Sequence, residues 1–262
     1  MSQAAVFKQL HAGPQILVLP NAWDAASAAL MEAAGAKAVA TSSAAVAWAH
    51  GYADGDLLPV PTLLAAIGEI ARVVKVPLTA DIEGGYSDDL ATLAETIKGV
   101  VGAGAVGINL EDGGRDPDLH ARKIEAVRKA AGAELFVNAR TDVYLRGLAE
   151  GDAALAETLR RAELYRAAGA DGIFVPGPTD EALLGTLARD IALPLNVMGR
   201  GGAPSAERLQ ALGVRRLSSA TAPFRAAYAA LGRVISDFLA SGDANALAQA
   251  GQGLPDLNKR FR

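Results

Sequence analysis

Four side chains have types and spacings suited to chemistry on a small anion. Asp81 and Glu83 stand two apart in PLTADIEGG, Glu111 follows GINL, and Arg140 closes LFVNAR. In an extended strand residues i and i+2 project to the same side, so Asp81 and Glu83 are expected to share a face. Glu111 and Arg140 end the next two strand-like runs. Carboxylates crowded into a low-dielectric pocket repel one another, so that either one keeps a proton or a cation sits among them. An all-oxygen set without His or Cys suits Mg²⁺ or Mn²⁺ rather than zinc. Arg140 offers a planar fork for a carboxylate or phosphate; the alternative is a structural ion pair that only neutralises the acids. Thr41-Ser42-Ser43-Ala44-Ala45 reads as a turn whose hydroxyls and closely spaced backbone N–H groups can hold a carboxylate oxygen or an oxyanion.

The elements that must position these groups are legible as an alternation. Eight short apolar runs read as buried parallel strands: 16–20, 38–42, 77–82, 106–110, 135–140, 172–176, 193–197 and 215–219. Between them lie stretches of helical period, the first opening at Asp24 as N-cap. An Ala-Gly-Ala or Leu-Gly-Val punctuation recurs before strands at Gly35, Gly104, Gly132, Gly169 and Gly213. Glycine there can end a helix in the left-handed conformation. Eight βα units predict an α/β fold of the (β/α)8 TIM barrel type, a single domain over 1–262. A doubly wound open sheet gives similar alternation, but the first strand is not followed by GxGxxG. After residue 222 the pattern is purely helical, giving a C-terminal extension of about 223–262 that packs on a neighbouring subunit or caps the barrel.

Composition narrows the function classes. The 262 residues include 25 Lys+Arg and 29 Asp+Glu, a net charge of −4, so a non-specific nucleic-acid binder is not expected. With no Cys, disulfides, thiolate metal sites and a Cys nucleophile are excluded. The Ala-rich stretch 25–49 is broken by Glu32 and Lys37, and the first residues lack an apolar signal core, so a cytoplasmic protein without a membrane span is expected. His50, Tyr52 and Tyr86 fall in loops near the strand ends as candidate proton carriers, and Arg200 in GRGG as a candidate phosphate contact; Trp23 and Trp48 read as packing residues.

The segments TSSAAVAWAHGYADGD, TADIEGGY, GINLEDGG, NARTD and PLNVM, in this order, resemble the isocitrate lyase / phosphoenolpyruvate mutase superfamily over about residues 20–222. The resemblance implies a (β/α)8 barrel acting on α-oxo or enol carboxylates with Mg²⁺, and an eighth helix exchanged between subunits of a dimer or tetramer. It implies metal contacts from Asp81, Glu83 and Glu111, a substrate grip from Ser42, Ser43, Ala44, Arg140 and Asn196, and catalytic roles for Arg140, Asp54 and Glu111. The lyases of the superfamily carry a Cys-bearing gating loop after strand four. Here that loop reads EDGGRDPDLHARKIEAV, with Arg115, Asp116 and His120 as its polar candidates. The expected function is therefore a Mg²⁺-dependent enzyme on a small oxo-carboxylate, a C–C lyase or decarboxylase working through an enolate-like intermediate. The alternatives are phosphonate P–C mutase or hydrolase chemistry and a non-catalytic 2-oxo acid binding protein.

Overall fold

A computed structural model describes residues 1–261. Nine strands form one parallel sheet: β1 (Leu17–Leu19), β2 (Asn21–Ala22), β3 (Val39–Thr41), β4 (Leu78–Asp81), β5 (Gly107–Glu111), β6 (Phe136–Arg140), β7 (Gly172–Val175), β8 (Leu195–Met198) and β9 (Arg216–Ser218). Around them lie α1 (Gln3–Ala12), α2 (Ala25–Ala33), α3 (Ser43–Ala49), α4 (Val60–Val73), α5 (Leu90–Gly102), α6 (Pro117–Ala131), α7 (Gly151–Ala167), α8 (Glu181–Asp190) and α9 (Ala206–Ala211), followed by α10 (Ala222–Ser241), α11 (Ala244–Ala250) and α12 (Leu257–Arg260). The strand order β1-β9-β8-β7-β6-β5-β4-β3-β2 closes on itself, because β1 and β2 are consecutive halves of one barrel strand. Pro20 makes the break: it has no N–H for the ladder, yet its carbonyl still accepts from Ala40 N at 2.9 Å. The fold is the expected TIM barrel, with all eight strand-like runs in place.

The helices carry apolar stripes toward the barrel. In α4, Leu63, Ala66, Ile67 and Ile70 are buried at helical spacing, while Glu69 and Arg72 face solvent. Side-chain caps start several helices, including Asp24 on α2, Asp89 on α5 and Asp180 on α8. Gly35 and Gly104, at φ 97° and 108°, take the positive-φ turn that leads from helix back to strand. At the opposite end of the barrel α1 inserts Phe7 and His11 against Phe136, the first residue of β6.

The last helices depart from this plan. Phe224 is the one buried residue of α10, held among Trp23, Trp48 and Tyr228. Tyr228, Leu231, Ile235 and Leu239 stay exposed along the same helix. The barrel wall that an eighth helix would cover is correspondingly open: Val18 on β1 is 55% exposed, and it borders a groove with Leu217 and Gly199–Gly201. Among the described residues no helix is long and apolar enough to cross a membrane.

Candidate active site

Parallel register brings the predicted chemistry to one end of the barrel. Asp81 pairs with Asn109, Glu111 with Arg140, and Arg140 with Phe174, so the ends of β4 to β7 rise side by side. Arg140 Nη1 lies 2.5 Å from Glu111 Oε2. The same guanidinium donates from Nε to Asp142 Oδ1 at 2.6 Å and from Nη2 to Asp142 Oδ2 at 3.0 Å, a bidentate clamp that fixes its plane. Asp142 is itself fixed from behind. Its backbone N–H donates to Asp112 Oδ1 at 2.9 Å, and Asp112 Oδ2 accepts from Arg161 Nη1 at 2.8 Å and Tyr165 Oη at 2.7 Å. The face of Phe174 stands 5.7 Å from the Arg140 guanidinium carbon.

Asp81, Arg140 and Phe174 border a cavity of about 200 Å³ at the strand ends, which Glu111 and Asp142 do not line and meet only through Arg140. It is lined by Ser42, Ser43, Ala44, Asp54, Asp81 and Arg140, with Asn21, Asn109, Ser218, Ala220 and Thr221 around them and Leu145, Phe174 and Met198 as an apolar wall. The volume suits a small acid. A larger groove of about 560 Å³ between α5 and α6 is lined by Ala91, Ala94, Ala126 and Ala130, on the outside of the barrel and away from every strand end.

The acids experience the cavity unequally. Burial pushes the Asp81 carboxyl above its ordinary pKa; Arg140 pulls the other way and the charge of Asp54 adds to the rise. Burial likewise carries Glu111 up to about 8, against the pull of Arg140 and with help from Asp81, Asp142 and Asp54. Burial opposes the charge on Arg140, but Glu111 and Asp142 more than offset it and hold the guanidinium above its ordinary value. The result is a cation fixed in place, facing acids that share too little positive charge.

Glu83 departs from the expectation that it shares a face with Asp81. β4 ends at Asp81, and Glu83 adopts a left-handed φ of 51°, so strand alternation no longer governs where it points. Its Oε2 accepts from the backbone N–H of Gly55 at 2.7 Å and from that of Asp56, and its Oε1 accepts from Tyr86 Oη at 2.9 Å. Glu83 thus fastens the loop that carries Asp54 to the cavity rim. Asp56, Tyr86 and Ala220 also take positive φ, so non-glycine strain gathers around this mouth. Asp81, Glu83 and Glu111 are therefore not brought together as one ligand set, and among the described residues no three His, Cys, Asp or Glu side chains form such a group. The donor chemistry still fits a hard cation of the Mg²⁺ type, which takes one or two carboxylates and completes its shell with water: Asp81 and Asp54 face the same cavity, and no histidine or cysteine lines it.

The remaining predicted residues divide clearly. The turn expected at residues 41–45 is the start of α3: Ser42 is its N-cap and accepts from Ala45 N, while Ser43 and Ala44 open the helix beside the cavity. Thr41 Oγ1 accepts from Asp81 N at 2.8 Å and so braces the acid. Asn196 lies one layer deeper, donating to Val197 O at 2.7 Å and Ser218 Oγ at 3.1 Å, and does not line the cavity. His50 Nδ1 contacts Val46 O at 2.9 Å at the end of α3, and Tyr86 is held by Glu83. His120 is buried in α6 against Tyr165 rather than facing the mouth. Arg200 reaches the Gly177 carbonyl at 3.4 Å. Sequence reasoning missed the apolar wall of Leu145, Phe174 and Met198; the register of Phe174 beside Arg140 was the available signal, but apolar strand ends read first as core.

Comparison with known proteins agrees with this geometry. The family model described as phosphoenolpyruvate phosphomutase matches residues 7–239. An uncharacterized protein of Mycobacterium tuberculosis is 38% identical over 239 residues, covering 88% of this chain and 89% of its own. The 2-methylisocitrate lyase of Bacillus subtilis is 30% identical, covering 73% and 65% of the two chains, and the oxaloacetate decarboxylase of Ectopseudomonas mendocina is 30% identical, covering 68% and 63%. Among solved structures, one from Burkholderia cenocepacia named "putative phosphonomutase" is 40% identical at a TM-score of 0.85, covering 89% of this chain and 99% of its own. Strand-end acids, a clamped arginine and a match over nearly the whole barrel lead to one placement: the chain belongs to the phosphoenolpyruvate phosphomutase family of the isocitrate lyase / phosphoenolpyruvate mutase superfamily.

Proposed function

We propose that this protein is a divalent-cation-dependent enzyme that cleaves the carbon–carbon bond one carbon removed from the keto group of a small 2-oxo carboxylate, as a lyase or decarboxylase. The observation that carries the reading is that Asp81 and Arg140, on neighbouring sides of one 200 Å³ cavity, present a buried acid and a fixed cation together. Asp81, with Asp54 across the cavity, would hold Mg²⁺ or Mn²⁺, and Glu111 would support them from the adjacent strand. When bound, the cation would offset negative charge developing on the keto oxygen.

The chain's own residues account for the rest. Arg140 takes the substrate carboxylate in its fork, kept flat and oriented by Asp142. The Ser42 hydroxyl and the backbone N–H groups of Ser43 and Ala44 border the same space and can donate to substrate oxygens. Leu145, Phe174 and Met198 exclude water from the reacting carbons. As the bond breaks, its electron pair moves onto the keto oxygen and gives an enolate, which then takes a proton on carbon. Decarboxylation of a 3-carboxy-2-oxo acid makes the smallest demand on the chain, because carbon dioxide leaves before any proton has to be delivered. The relatives named for methylisocitrate lyase and oxaloacetate decarboxylase chemistry support this reading. The "phosphonomutase" named above keeps P–C chemistry as a second reading.

Purified protein assayed with Mg²⁺ should convert oxaloacetate or a close 2-oxo acid, with activity lost in a chelator and restored by Mg²⁺. Asp81→Ala should abolish that dependence while leaving the melting temperature within a few degrees, since residues at this face serve chemistry more than stability. Turnover of phosphonopyruvate and of no carbon–carbon substrate would shift the assignment to the second reading. The open wall beside Val18 and the exposed stripe of α10 support a homo-oligomer in which the helices of two copies cover each other's barrels. Sedimentation should report a dimer or tetramer.

A further inference from the structure

The barrel interior beneath the cavity holds a cation that the reaction described above does not use. Arg216 opens β9 and is buried. β9 and β5 stand opposite each other in the closed strand order, so its side chain crosses the barrel to reach Asn109. Nη2 donates to Asn109 Oδ1 at 3.1 Å, the one hydrogen bond the guanidinium makes among the described residues; Nε and Nη1 have no partner there. Burial lowers its pKa to about 9 against the pull of Asp81, which still leaves it charged at neutral pH. A buried charge with so few partners costs the fold stability, and an apolar side chain of similar size often serves as well or better. Stability alone does not account for an arginine at this position.

The side chains that Arg216 meets form an ordered row of three amides. Asn196 Nδ2 donates to the Val197 carbonyl at 2.7 Å, so its Oδ1 is the end that accepts from Asn138 Nδ2, at 3.1 Å. The same Asn138 Nδ2 donates to Asn109 Oδ1 at 2.8 Å. Gly172 leaves room for the row, since a methyl group there would lie 3.0 Å from Asn138 Oδ1. A backbone carbonyl only accepts and a guanidinium only donates, so the row has one consistent orientation between Val197 and Arg216. Arg216 and Asn138 both occupy Asn109 Oδ1, and Asn109 Nδ2 is therefore turned away from them. Asn109 is the register partner of Asp81, lines the same 200 Å³ cavity, and helps to keep the Asp81 carboxyl charged. That contact uses one hydrogen of Nδ2 and leaves the other for the space above the floor.

We propose that Asn109 donates from Nδ2 to an oxygen of the bound oxo acid beside Asp81, and that Arg216 is the positioning residue that holds the amide in this orientation. Without Arg216 only the neutral Asn138 donor restrains Asn109, and a turned amide would present Oδ1, an acceptor, to the oxygens of an anion. The inference rests on the functional reading of the cavity and adds a donor on its floor.

Calorimetry with oxalate in the presence of Mg²⁺ reads this donor, because oxalate is a planar dianion shaped like the enolate. Asn109→Ser keeps an acceptor for Arg216 but is too short to donate into the cavity. It should weaken oxalate about tenfold, as expected for one lost hydrogen bond to a charged group, and Asn109→Leu should do the same. Arg216→Met should weaken oxalate about fivefold with a melting temperature unchanged or raised, and Arg216→Lys should recover part of the loss. The decisive measurement is the double variant. In the Asn109→Ser background Arg216→Met should change oxalate affinity by less than about twofold, because the two residues act as one unit. A merely structural arginine, or one acting by its charge at a distance, would make the two losses multiply. That result, or wild-type affinity in a folded Asn109→Ser protein, would overturn the proposal while leaving the oxo-acid site intact. A wild-type protein that binds no oxalate with Mg²⁺ would defeat the functional reading itself.

Discussion

At the C-terminal ends of the strands Asp81, Glu111, Arg140 and Asp142 crowd charged groups around a cavity, and non-glycine residues sit at positive φ beside them. At the N-terminal ends the pockets, of about 270 and 150 Å³, are lined mainly by apolar side chains and the start of α1. There α1 drives Phe7 into a fully buried place among Leu17, Leu19, Ala38, Ala40 and Phe136, and His11 stacks on Phe136 with ring centroids 4.1 Å apart. One end stores strain and unmatched acids; the other packs aromatic rings and aliphatic side chains around the inserted face of α1. The difference teaches where stability and chemistry lie in this chain. Burial, helped by neighbouring negative charge, holds the Asp81 and Glu111 carboxyls above their ordinary pKa, so they gain little for the folded state, whereas the plug contributes through contact area and packing.

The strongest way to break that comparison is to remove the mouth's cation. Arg140→Met should lower kcat/KM about 10³-fold, because a buried charge partner of the substrate is lost and Glu111 and Asp142 are left facing each other. Chemical denaturation should show a much smaller relative effect on stability. A variant that keeps its activity would separate Arg140 from the reaction. The converse variant is Phe7→Ala at the plug. A fully buried phenylalanine replaced by alanine costs about 4 kcal/mol, while kcat/KM measured below the melting range should be unchanged. If Phe7→Ala instead abolished turnover in a folded protein, the two ends would not be separable.

The plug also carries a pH signature that the mouth does not share. Burial, with Arg216 adding to it, lowers the His11 imidazole to about 3, so it stays neutral in the folded chain. An unfolded chain protonates the same ring near pH 6.5. Between these values the unfolded state binds more protons, so stability rises with pH and falls on acidification. His11 should account for a loss of about 3 kcal/mol between pH 6.5 and pH 4, by the linkage of one pKa unit to about 1.4 kcal/mol. His120, lowered to about 4 by burial against Tyr165, adds a second contribution of the same sign. Urea midpoints across this window should show the slope, and His11→Gln should remove about half of it. An unaltered slope would place the acid sensitivity elsewhere, with Asp112 as the first suspect: against its burial, Tyr165, the Asp142 backbone and Arg161 hold its carboxyl below the ordinary value.

How much of this was legible follows from which physical rule governs each residue. Asp81, Glu111 and Arg140 could be placed at one end because strand direction and the parallel fold decide which end of a run faces the mouth. Glu83 could not, since its direction depends on a left-handed φ that no alternation rule anticipates. Ser42 to Ala44 read as a turn because a short helix of small residues lacks a clear apolar stripe. Phe174 and Met198 looked like core, and only their register beside Arg140 and β9 shows them lining a cavity. The role of His11 depends on α1 closing the far end of the barrel, a tertiary fact. The pattern of the fold is local and repeated, so it is written many times over; the site depends on a few backbone turns written once.

Asp180 sharpens the comparison with the smallest effect. It belongs to the loop after β7, at the same end of the barrel as Arg140, and by position alone it would count with the chemistry. Its carboxylate, however, accepts from Leu183 N at 2.8 Å and caps α8, and it does not line the cavity. Facing the cavity, rather than lying at the mouth end, should decide a residue's role. Asp180→Ala should therefore cost about 1 kcal/mol, the usual loss for a helix N-cap, with kcat/KM unchanged. Asp180→Ser, which restores an acceptor at the cap, should recover most of that stability. A tenfold fall in kcat/KM in Asp180→Ala, at full occupancy of the folded state, would mean that the capped start of α8 sets the position of Phe174 and Leu145. The boundary between the two regions would then have to be drawn outside the cavity wall rather than along it.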